Sequence, residues 1–204
     1  MGNDKLHFTK KVLPIEVHNP KKVSQLLSEM TQTGFQGKKL GQVVDVWEQM
    51  VRDPDVTILM GYAGSLSTTG QWKIINWLIE NRFIDVLVPT GANISEDIVD
   101  AMGLGYYQGT HLANDVELLN HDFNRYYDVY GSEVDYLKMI ELLAGLIQNL
   151  KPNYNYTTRE FLYEIGKMLS KKGIKSIVAT AAENKVPIYC PAIIDSPYGD
   201  ASLI

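Results

Sequence analysis

Two periods of apolar residues run along the chain. Leu40, Val43, Val44, Trp47 and Met50 recur at three- and four-residue intervals, which lays them on one face of a helix over residues 38–51. A shorter helix over residues 20–30 opens with Pro20, Thr33-Gly34-Phe35-Gln36-Gly37 reads as a turn, and Asp53-Pro54-Asp55 ends the second helix. The period then changes. Val56-Thr57-Ile58-Leu59-Met60 is a short β-branched run of the kind expected for a strand buried on both faces. Small and hydroxyl residues follow from Gly61 to Gly70, then an apolar helix over 71–81, a second buried strand over 84–88, the loop Pro89-Thr90-Gly91-Ala92-Asn93 and a helix start at Ser95-Glu96-Asp97. Strand, helix, strand, helix predicts an α/β fold, with a parallel sheet covered by helices.

Beyond residue 105 the pattern is weaker. Residues 120–130 read as a polar, aromatic connection. Residues 132–150 predict an amphipathic helix with Ser132 as N-cap, and 158–170 another helix. Residues 174–182 lead toward a third buried strand, Val186-Pro187-Ile188-Tyr189-Cys190, which opens into Pro191 to Asp200. There is no internal repeat, low-complexity tract or Pro/Gly-rich linker, so one domain spanning 1–204 is expected.

Composition narrows the chemistry. The net charge is −5 and charged residues make up 21%, an acidic mixed surface that argues against nucleic acid and against anionic membranes. Lys167, Lys171, Lys172 and Lys175 are interleaved with apolar residues and read as a solvated helix face. Cys190 is the one cysteine, so an internal disulfide is impossible, and its apolar surroundings predict a buried, inert thiol. The N-terminal MGNDKLHFTKK has no signal-like apolar stretch, leucine at position 6 breaks the myristoylation pattern, and no segment has a transmembrane length. Cytoplasm is the expected compartment.

In open α/β sheets ligands sit beyond the carboxyl ends of the strands, where small residues and free N–H groups gather. Three such ends share this chemistry: Gly64 to Gly70, Thr90 to Asn93 and Asp195 to Asp200. Gly and Ala admit a pyrophosphate, Ser and Thr donate, and Asp195 can accept from a ribose diol. Turn geometry alone also favours such residues in βα loops, so both readings stand on local pattern. Gly103 to Gly109 has the wrong spacing for a dinucleotide fingerprint and follows a predicted helix. His111, Asp115, His121 and Asp122 match no common metal-ligand spacing. There is no phosphate-loop Gly-Lys-Ser/Thr and no Gly-x-Ser-x-Gly elbow. Trp47, Trp72 and Trp77 have helical neighbours and read as core or subunit-interface residues.

The ordered set resembles the deoxyhypusine synthase family. It comprises Thr33-Gly34-Phe35-Gln36, Ile58-Leu59-Met60-Gly61-Tyr62 leading to Gly70, Asp85-Val86-Leu87-Val88 with Thr90-Gly91-Ala92 and Glu96-Asp97, then Val186 to Ala192, Asp195 and Gly199-Asp200. The resemblance runs from about residue 20 onward. It implies a Rossmann-like parallel sheet with helices on both faces, NAD as cofactor, and a homotetramer or other oligomer with shared active sites. It implies oxidation of spermidine, an imine on an enzyme lysine, and transfer of the aminobutyl group to a lysine of a translation factor. By position, Ser65, Thr68, Thr90, Gly91, Ala92, Glu96 and Asp195 fall where the family contacts NAD, and Asp200 on a carboxylate that binds a polyamine amine.

Two departures matter. Gly64-Ser65 stands where the family has Ser-Asn, and Gly91-Ala92-Asn93 where it has Ala-Gly-Gly, closer to the bacterial and archaeal deoxyhypusine synthase-like branch, which includes homospermidine and other polyamine synthesis. No segment resembles the family's Gly-Gly-Gly-Val-Val-Lys stretch, so no catalytic lysine is expected in this chain and the C-terminal part of the fold is absent from it. These residues alone are therefore expected not to form the imine. Three readings remain: a fragment, one subunit of a split enzyme whose open sheet edge is covered by a second polypeptide, or a non-catalytic regulatory subunit.

Overall fold

The computed structural model describes residues 10–17 and 20–204, and the expectations that rest on residues 1–9 lie outside them. The chain divides into two compact units, residues 1–56 and 57–204.

The first unit is a helical hairpin of α1 (Val23–Met30) and α2 (Phe35–Arg52). Its close approach is at Gly41, where a Cβ would stand 2.6 Å from the Leu27 carbonyl oxygen and 2.7 Å from Thr31 Cγ2. Helix α2 starts at Phe35, inside the stretch read as a turn, with Phe35 itself in the left-handed region at φ 53°.

The second unit carries the parallel strands. Strand β1 (Leu59–Tyr62) leads through α3 (Trp72–Glu80) to β2 (Val86–Pro89), paired parallel from Leu59↔Val86 to Tyr62↔Pro89. Residues 186–190 lie on the other side of β2. The Leu87 N–H donates to Pro187 O at 3.0 Å, and the Tyr189 N–H donates to Leu87 O at 2.9 Å. The third strand expected from the sequence is thus present as a single parallel bridge. Strand β1 is an edge, not a strand buried on both faces: Ile58 is buried, but Leu59 is 62% exposed.

After β2 come a 3-10 turn (Ala92–Ile94), α4 (Glu96–Ala101), β3 (Tyr106–Gln108) and α5 (Asp115–Asn120). Next are β4 (Phe123–Tyr126), β5 (Val129–Ser132), α6 (Glu133–Ile147), α7 (Thr158–Lys171), α8 (Ile177–Asn184) and α9 (Pro197–Ala201). Residues 120–130 correct the expectation of a connection: β4 and β5 form an antiparallel hairpin, and β3 joins β5 in the order β3-β5-β4. Tyr127 makes the tight turn at φ 61°. The aromatic residues of this sheet pair across it, Tyr106 with Tyr126 and Tyr107 with Phe123, rather than building one apolar face, so no alternation signals the strands. Residues 177–184 are a helix; their small, apolar residues read equally as an approach to a strand.

Local chemistry sets the helix ends. The Ser132 side chain accepts from the Asp135 N–H, as expected, Thr157 and Glu160 form a capping box on α7, and Ser176 accepts from the Ala179 N–H. Ile75, Ile79, Leu87, Ile98, Leu143, Ile165, Leu169, Ile177 and Cys190 are buried in the core. Trp72 belongs to it, with Nε1 donating to Asp100 at 2.7 Å, whereas Trp47 and Trp77 are 40% and 51% exposed. Among the described residues no helix is long and apolar enough to cross a membrane.

Candidate functional site

Parallel pairing puts the carboxyl ends of β1, β2 and residues 186–190 side by side, so the loops that follow them meet. The contacts are specific. Asn93 Oδ1 accepts from the Leu66 N–H at 3.2 Å, Asn93 Nδ2 donates to Thr90 Oγ1 at 2.8 Å, and Ser67 Oγ donates to Asn93 O at 2.7 Å. Asn93 is fully buried and ties the first loop to the second. The third loop closes on the second at Gly91, where a Cβ would lie 2.5 Å from Ser196 Oγ; only a glycine leaves that approach open. Tyr198 donates from its hydroxyl to Ile94 O at 2.6 Å, and a Cβ at Gly199 would meet Ile194 O at 2.1 Å.

Around this junction the anticipated residues separate by exposure. Ser65, Thr90 and Asp195 are exposed, Ala92 is half-buried and Gly91 is buried between loops. Thr68 is buried, its hydroxyl donating to Ser65 O at 3.1 Å, so it shapes the first loop. Glu96 is buried at the start of α4, and Asp200 is exposed on α9. The two carboxyls share a neighbour: burial first, then the charges of Tyr126, Glu96, Asp200 and Glu133, push the Tyr136 hydroxyl well above its ordinary range.

Behind the loops lies a polar centre that the sequence pattern marks only as a helix start. Asp97 is fully buried. Its Oδ2 accepts from the Ile177 N–H at 2.5 Å, holding the first residue of α8 from 80 positions away. Burial raises its carboxyl to about 7, opposed by that N–H and reinforced by Glu96 and Asp100. Burial also raises Glu96 to about 7. Asp97 Oδ1, Glu96 Oε2 and the Tyr62 hydroxyl have no hydrogen-bond partner among the described residues. Both carboxyls are therefore partly neutral near pH 7 and can donate as well as accept. With two acids in its first turn, α4 offers a poor cradle for a phosphate. Phosphate chemistry fits Ser65, Thr90 and the backbone around Gly91, and a ribose diol fits Asp195. Asp97 and Asn93 are the residues that sequence reasoning misses; their signal is polar side chains in a segment otherwise apolar enough to be core.

Cys190 is buried and burial raises its thiol, as expected of an inert cysteine. Asp115 is held by Arg125, and His121 Nδ1 lies 2.8 Å from Glu117 O.

The family model for deoxyhypusine synthase matches residues 25–204. The chain belongs to the deoxyhypusine synthase family. A candidate deoxyhypusine synthase 2 of Archaeoglobus fulgidus is 43% identical over 175 residues, 86% of this chain and 58% of that protein. A candidate deoxyhypusine synthase 2 of Methanosarcina mazei is 40% identical over 189 residues, 92% of this chain and 54% of that one. The chain thus spans little more than half the length of these deoxyhypusine synthase relatives. A crystal structure of a candidate deoxyhypusine synthase from Entamoeba histolytica superposes with a TM-score of 0.65 at 18% identity, covering 92% of this chain and 65% of that one, and so shares the fold.

Proposed function

We propose that residues 1–204 form a Rossmann-like, NAD-binding portion of a cytoplasmic, oligomeric deoxyhypusine synthase-type enzyme that transfers an aminobutyl group from spermidine to a lysine of a translation factor. The observation that carries this is the junction of three strand-end loops at Gly91, with Ser65, Thr90 and Asp195 exposed around it. Ser65 and Thr90 would hold the pyrophosphate, and Asp195 a ribose. Asp200 suits an amine of a polycation, and the family resemblance puts Glu96 with NAD. When bound, NAD supplies the hydride acceptor; the chain's own residues position the two reactants and exclude water behind Tyr62, Asp97 and Tyr198.

The lysine-bearing segment would come from residues outside these 204, in the same polypeptide or in another. An open edge supports this reading. Pro187 O and Tyr189 N serve β2, so the backbone groups of Ile188 face the opposite edge. Beside that edge is a groove of about 300 Å³ lined by Leu162, Tyr163, Val178, Ala182, Lys185 and Pro187.

Two measurements test the proposal. Titration calorimetry of the chain with NAD should show binding. Thr90→Val and Asp195→Ala should each weaken it roughly tenfold, the worth of one good hydrogen bond. Variants that bind NAD as the parent does would refute the placement. Spermidine plus NAD should give no reduced cofactor with this chain alone; turnover would show that the reaction needs no further segment. Supplying the translation factor or putrescine with the complementary segment then identifies the acceptor, since a labelled homospermidine product would move the assignment to small-molecule polyamine synthesis.

A further inference from the structure

Asn93 fixes more than the spacing of two loops; it fixes the direction in which their hydrogen bonds run. The Leu66 N–H can only donate, so the Asn93 atom that meets it at 3.2 Å is the amide oxygen. The other arm of the amide is then Nδ2, which can only donate, and it meets Thr90 Oγ1 at 2.8 Å. A hydroxyl has one proton and two lone pairs. Thr90 gives a lone pair to Asn93, so its proton is left for solvent or a ligand, and Thr90 is exposed. Asn93 is fully buried and its amide is held at both ends, so it cannot turn over without breaking both bonds.

The backbone around Thr90 has the same polarity. Ser65 O accepts from the Thr68 and Thr69 hydroxyls at 3.1 and 2.9 Å. Gly91 O accepts from Ser95 Oγ at 3.0 Å and from the Ile94 N–H at 3.1 Å, and Asn93 O accepts from Ser67 Oγ at 2.7 Å. These carbonyl oxygens, which would repel an anion, are engaged from within the junction. The exposed hydroxyl of Thr90 is offered as a donor above them. That polarity suits a phosphate oxygen, to which a hydroxyl makes a short, charge-assisted bond.

We propose that Asn93 is a positioning residue for the cofactor, turning the Thr90 hydroxyl proton outward to a pyrophosphate oxygen. This rests on the NAD reading of the junction. Asn93→Asp reverses the relay. At about pH 8.5 a carboxyl held by the Leu66 N–H is ionised, accepts from Thr90 and draws its proton inward. Calorimetry of the whole chain at that pH should show NAD affinity falling about a hundredfold, but no more than about tenfold when the same change is made in Thr90→Val. The charge of the new carboxylate acts in both backgrounds; only the reversed hydroxyl needs Thr90. Nitrogen-15 NMR reads the bond without cofactor: the Asn93 side-chain amide signals should move in Thr90→Val and stay in Thr90→Ser. Equal losses of affinity in the two backgrounds overturn the relay alone. So do amide signals that ignore Thr90→Val, a result that does not depend on whether Asn93→Asp folds. A parent chain whose amide responds but which binds no NAD overturns the NAD reading and the proposal with it.

Discussion

Asp97→Asn should make the protein more stable above pH 7, by on the order of 3 kcal/mol, and should roughly halve the fall in stability that the parent shows between about pH 4 and pH 7. Asp97 is fully buried and its carboxyl is raised from 3.8 to about 7, with burial the largest cause. The folded state therefore keeps a proton across that window while the unfolded chain has released it. The native state binds more protons, so unfolding free energy decreases as pH rises, and the contribution of the neutral acid is lost by the time pH passes the folded value. Glu96, raised to about 7 by burial, adds a second proton of the same sign. The amide keeps the acceptor that holds the Ile177 N–H and removes only the ionisation. Asp97→Ala separates the two effects, because it loses the acceptor as well and should cost about 1–2 kcal/mol relative to the amide. Urea unfolding at pH 5, 6, 7 and 8 reads the slopes. Parallel profiles for parent and Asn variant would mean that Asp97 does not hold the proton.

Gly166→Val should be the most destabilising single change away from the loops. Helices α7 and α8 cross at Gly166, where even a Cβ would stand 2.4 Å from the Val178 carbonyl oxygen and 2.8 Å from the Ala182 Cβ. The nearest obstacle is backbone, so it cannot rotate aside. The helices must part, uncovering Leu162, Ile165 and Leu169, all essentially inaccessible in the native chain. A loss of about 3 kcal/mol or more is expected, a large share of a typical domain's stability. Gly145→Ala is the control. Gly145 lies within α6, and a Cβ there would meet nothing within 4 Å, so alanine should stabilise by about 0.5–1 kcal/mol. The two urea midpoints should move in opposite directions; equal shifts would remove close helix packing as the explanation.

Much of this architecture is legible without any coordinates. The hydrophobic period places α2, α3, α6 and α7, because an amphipathic helix writes its apolar face directly into residue spacing. The β-branched runs place β1 and β2, and the small residues after them mark the loops that meet at Gly91. The capping residue Ser132 needs only its own backbone neighbours. What the sequence cannot decide depends on partners distant along the chain. In the β4–β5 hairpin and the β3 strand beside it, rings of β3 and β4 meet across β5, Tyr106 with Tyr126 and Tyr107 with Phe123, which leaves no alternating stripe. Ser176 caps the helix over 177–184 locally, but what seats it is distant: Asp97, 80 positions earlier, accepts from its first N–H, and Gly166 leaves room for its backbone. The exposure of Leu59 follows from its place at a sheet edge, a matter of strand order. Local spacing and capping are short-range properties and reside in the sequence itself; which carboxyl holds its proton and which glycine is irreplaceable are set by residues that only folding brings together.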